Sequence, residues 1–99
     1  QERALIFAKA AYDLSPTNPA TVSTYGWFLV KSRQDAKTGI LLLEKSVATR
    51  PDHAGLRYQL AEGYAATGRK NKAKEAVLRA LQTPGFANED KARKLLATL

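Results

Sequence analysis

The chain has 99 residues, 44% of them hydrophobic and 25% charged, a balance that suits one small folded domain and excludes a disordered segment. It contains no cysteine, which excludes disulfides, thiolate metal sites and a cysteine nucleophile, and no apolar run approaches the roughly 18–20 residues of a membrane span. The net charge of +7 is uneven, with six basic and four acidic residues up to Thr49 and ten and five from Arg50 onward, a surplus that favours acidic partners, anionic surfaces or nucleic acid without choosing between them.

Apolar periodicity and capping signals predict helices at 2–14, 19–32, 35–49, 53–67, 70–82 and 88–98, joined by short turns. The first opens in mid-pattern; together with the lack of methionine, this leads us to expect a piece of a longer protein. Helix 19–32 has Asn18 as its cap and Pro19 at its first position, where the missing N–H costs nothing. Helix 53–67 follows Pro51, with Asp52 as the expected cap, and Gly68 fits the left-handed position that ends it. Helix 70–82 opens on the basic run Arg69, Lys70, Lys72 and Lys74. Helix 88–98 carries Ala92, Leu95, Leu96 and Leu99 on one face, Asn88 as its expected cap, and Glu89 and Asp90 near its positive end.

The pattern repeats. Prolines close three similar phrases, Ala11–Pro16, Ser46–Pro51 and Ala80–Pro84, and seven residues before each phrase stands a small residue: Ala4, Gly39 and Ala73. Nine and ten residues after the first two prolines come Tyr25-Gly26 and Leu60-Ala61, followed four residues on by Leu29 and Tyr64. This spacing resembles the tetratricopeptide (TPR) family, whose unit is a helix–turn–helix of roughly 34 residues. The copy from Leu60 to Pro84 matches best. The copy before it has an extra residue between its helices, Gly39 and Ser46 where alanine is usual, and no glycine in its turn.

The resemblance implies an all-α fold, a right-handed superhelix of antiparallel helix hairpins, with repeats at 19–49 and 53–82 and a capping helix at 88–98. Gly26, Gly39, Ala61 and Ala73 are then the close helix crossings, because helices approach only where side chains are short. Helix 2–14 corresponds to the second helix of a truncated repeat. Its Leu5, Ile6 and Phe7 are expected to be exposed or covered by a second copy of the chain.

The same resemblance places a peptide- or helix-binding groove on the first helix of each hairpin: Ser23, Trp27, Val30 and Lys31 on one, Tyr58, Gln59, Glu62 and Ala65 on the next. Trp27 and Tyr58 are the aromatic anchors of that reading; the plainer alternative is that Trp27 simply packs on Tyr58. The lysine, arginine and asparagine set by which some TPR proteins clamp a terminal carboxylate is missing, since Ser23, Trp27, Tyr58 and Glu62 stand there. A more specific likeness runs through Tyr25–Val30, Gly39–Leu42, Arg57–Ala61 and Ala92–Leu96. It is similar to bacterial TPR proteins that accompany exosortase (PEP-CTERM) and exopolysaccharide-secretion systems, and implies a periplasmic or envelope-anchored scaffold.

Chemistry is not foreseen. His53, the single histidine, has neither a nucleophile nor metal-ligand companions in the pattern and reads as a helix-start residue. The glycines form no phosphate-cradling loop, so neither a cofactor nor a metal is expected. The basic run is expected on the outer, convex side. No aromatic residue interleaves it, which argues against single-stranded nucleic acid and favours a solvated face. The alternatives to a groove binder are a basic surface for an anionic polymer, nucleic acid or acidic polysaccharide, and a purely structural end of a longer TPR solenoid.

Overall fold

The computed structural model describes residues 2–99, apart from the side chain of Glu2. Its helices are α1 (Glu2–Leu14), α2 (Pro19–Ser32), α3 (Ala36–Thr49), α4 (Ala54–Ala66), α5 (Lys70–Ala80) and α6 (Glu89–Thr98), and no strand occurs among the described residues. Asn18 Oδ1 accepts the Ala20 N–H at 2.9 Å ahead of Pro19. Asp35 is a cap rather than the first helical residue of α3. Its carboxylate accepts from both the hydroxyl and the N–H of Thr38, which holds it below the usual carboxylate range.

The cap of α4 is His53 and not Asp52: the imidazole Nδ1 accepts the Leu56 N–H at 3.1 Å. A cap must directly precede the first helical residue, and Asp52 stands one position too early. Replacing His53 with alanine should cost about 1 kcal/mol, whereas asparagine should retain most of it, a difference that denaturant titration of the two variants resolves.

The end of α4 follows the expected glycine. Gly68 has φ +78, and bonds from the Arg69 N–H to the Tyr64 carbonyl (2.8 Å) and from the Gly68 N–H to the Ala65 carbonyl (3.2 Å) close the turn. The turn after α2 reaches the left-handed region without glycine, at Arg33 (φ 59). Asn88 occupies the cap position of α6 but makes no capping bond. Glu89 instead accepts the Gly85 N–H and pairs with Arg93.

Each helix packs on the next in sequence, and α2 also touches α4, so the two lie side by side. The tightest approach joins α2 to α3. A Cβ on Gly39 would stand 2.7 Å from the Gly26 carbonyl oxygen and 2.9 Å from Val30 Cγ2. Ala61 and Ala73 are both fully buried in the core that α4 and α5 share. Gly63, not foreseen as a crossing, lets Ile40 approach α4, where an added Cβ would meet Ile40 Cγ1 at 2.8 Å. Ser46 is buried in place of the usual alanine, and its hydroxyl is satisfied by the Leu42 carbonyl at 2.9 Å.

The main core runs from Val30, Ile40 and Leu43 through Tyr64 and Val77 to Ala92, with Leu95 and Leu96 of α6 and Leu99 just after it packed against it. This is the capping role expected of the last helix. A second cluster joins Leu5 to Leu29 and Leu42. Leu5 therefore departs from expectation: it lies on the α2 side of α1, while Ile6 and Phe7 are 64% and 69% exposed.

Two buried tyrosines tie carboxylates to the frame. The Tyr64 hydroxyl donates to Glu44 at 2.5 Å, linking α4 to α3, and the Tyr58 hydroxyl donates to Glu62 within α4. Burial, helped by these acceptors, pushes Tyr64 up to about 12 and Tyr58 up as well. In the unfolded chain a tyrosine releases its proton near pH 10. The folded state thus binds more protons above that pH, and stability should fall from about pH 10 to 12. The Tyr58→Phe/Tyr64→Phe double variant should show a smaller fall in its unfolding midpoint over that range.

Candidate binding cleft

Ser23 and Trp27, one helical turn apart on α2, face the same side as Gln59 of α4. Together with Phe86 and Asn88 from the α5–α6 connection they line an open cleft of about 450 Å³. Trp27 is half-buried. Its ring centroid is 6.3 Å from that of Tyr58 at an interplanar angle of 55°, and the Lys31 ammonium stands 5.4 Å from the indole centroid. The indole thus packs on Tyr58 and also walls the cleft.

The other residues of the expected groove divide between places. Val30 is 4% exposed and Tyr58 3% exposed. Val30 is turned toward Gly39 and Gly63, and Tyr58 sits in the main core, against which α6 packs. The face that the repeat pattern assigns to a ligand is thus partly consumed by helix packing. Lys31 and Glu62 border a smaller depression on the other side of Trp27, and Ala65 rests against the core. Arg50, His53 and Phe86 line the cleft but escaped the groove prediction. They lie in connections between helices, and helical periodicity says nothing about where a connection folds.

Arg69, Lys70, Lys72 and Lys74 are all exposed. Two of them serve the fold, since the Arg69 guanidinium and the Lys72 ammonium lie 6.0 and 5.6 Å from the Tyr64 ring centroid. That cation–π contact offsets the cost of positive charge at the start of α5. Among the described residues no cluster of three histidine, cysteine or acidic side chains is placed to hold a metal ion, and no helix is long and apolar enough to cross a membrane.

No curated protein matches the chain, and the likeness to exosortase-associated proteins gains no support from that comparison. A sequence profile described as tetratricopeptide repeat matches residues 33–99, about two thirds of the chain. The stacked helices, the glycine-mediated crossings and this match agree, and the chain belongs to the tetratricopeptide repeat family, whose repeats generally mediate protein–protein interactions.

Proposed function

We propose that the protein is an interaction scaffold that receives a peptide or partner helix in the cleft between α2, α4 and the α5–α6 connection, with Trp27 as its anchor. The observation that carries this reading is the half-buried indole on the wall of an open, aromatic-lined cleft. A large rigid side chain in such a position adds much contact area at little entropic cost, which is how a few residues come to dominate an interface. Trp27 is also the sole tryptophan, so its fluorescence reports on the cleft directly.

Peptides selected from a displayed random library against the intact chain should shift the emission of Trp27. Trp27→Ala should weaken them by about 2 kcal/mol or more, with an unchanged circular dichroism spectrum showing that the fold is kept. Equal binding to that variant would remove the cleft as the site.

A further inference from the structure

Resting on the cleft reading above, we infer that the segment it takes is acidic, with a carboxylate placed beside an apolar side chain. The lining divides into two chemistries. Trp27, Phe28 and Phe86 supply apolar lining, and Arg50, His53 and Asn88 are among the polar residues that line the same cleft. Among the described residues no carboxylate lines the cleft.

The acids nearest in sequence are both accounted for elsewhere. Asp52 lies between Arg50 and His53 but lines a separate depression with Arg57 and Arg79. Glu89 follows Asn88 and is engaged by Arg93 and by the Gly85 N–H. Arg50 makes no ion pair among the described residues. His53 spends Nδ1 on the Leu56 N–H, so the neutral ring carries its proton on Nε2 and has a donor left over. The connection between α3 and α4 thus presents a guanidinium and an imidazole donor at one edge of an aromatic-walled cleft, in a chain of net charge +7. An acidic residue in the ligand answers these donors by charge-assisted hydrogen bonds. A neighbouring apolar residue answers the walls.

The test selects peptides from a displayed random library on the wild-type chain and reads their composition. The expected pool is rich in aspartate or glutamate within a few positions of an aromatic or aliphatic residue. Changing that acid to its amide should weaken a selected peptide about tenfold or more. Arg50→Gln should weaken the acidic peptide similarly and erase its advantage over the amide form, the coupling that a direct contact produces. His53→Asp keeps an N-cap acceptor while placing a like charge at the cleft edge, and should also weaken the acidic peptide.

A pool that depends on Trp27 but shows no acidic preference would overturn this inference and leave the cleft reading standing. A pool indifferent to Trp27 would overturn both. Acidic peptides that bind equally well after loss of their apolar residue would also overturn it, leaving only general attraction to a basic protein.

Discussion

Gly39→Val is expected to destabilise the domain by about 3 kcal/mol, enough to remove a large share of the about 5–15 kcal/mol that holds a domain of this kind together. The reason lies at the crossing of α2 and α3. Even a Cβ at Gly39 would meet the Gly26 carbonyl oxygen at 2.7 Å, Val30 Cγ2 at 2.9 Å and Leu29 Cβ at 3.1 Å. The first of these is backbone and cannot turn aside by changing rotamer. Valine adds two further methyl groups, so α2 and α3 must move apart and loosen the core around Val30 and Ile40. Better helix propensity than glycine returns only about half a kcal/mol.

Gly68→Ala is the control, because an added Cβ there meets nothing within 4 Å. Its cost is confined to holding alanine at φ +78, about 1–2 kcal/mol. Urea titrations of the two variants compare the terms directly. A midpoint for Gly39→Val equal to that of the wild type would show that the helices are not in contact there.

Leu43→Ala is expected to cost about 2–5 kcal/mol and to lower the thermal midpoint by about 10 °C or more. Leu43 is fully buried, at 0% exposure, and belongs to the core shared by α3, α4 and α5. Removing its branched end leaves a space bordered by helices that already touch elsewhere and so cannot collapse into it. Two positions away, Leu41 is 62% exposed, and Leu41→Ala should stay within about 0.5 kcal/mol of the wild type. Equal effects at the two positions would mean that α3 is rotated about its axis from this orientation.

The repeat spacing already assigns Ile40 and Leu43, and not Leu41, to the space between hairpins, although Ile40, Leu41, Leu42 and Leu43 form a continuous apolar run. The cap of α4 illustrates a limit. Asp52 is the better capping residue by type, yet the chain leaves Pro51 in a turn that puts His53 immediately before the helix. The left-handed turn at Arg33 carries no glycine to announce it.

Local sequence determined the helices and their order, because proline, asparagine and glycine act on the backbone within a turn of where they stand. It also marked Gly26, Gly39, Ala61 and Ala73 as the close crossings, since only short side chains permit them and the repeat spacing set them opposite one another. The composition of the cleft was decided by packing. Val30 and Tyr58 share the α2 and α4 faces that the family resemblance assigns to a ligand, and neighbouring helices buried them. Arg50, His53 and Phe86 reached the cleft because two connections, α3–α4 and α5–α6, fold back beside Trp27, a placement that depends on residues far apart in the chain and leaves no local mark.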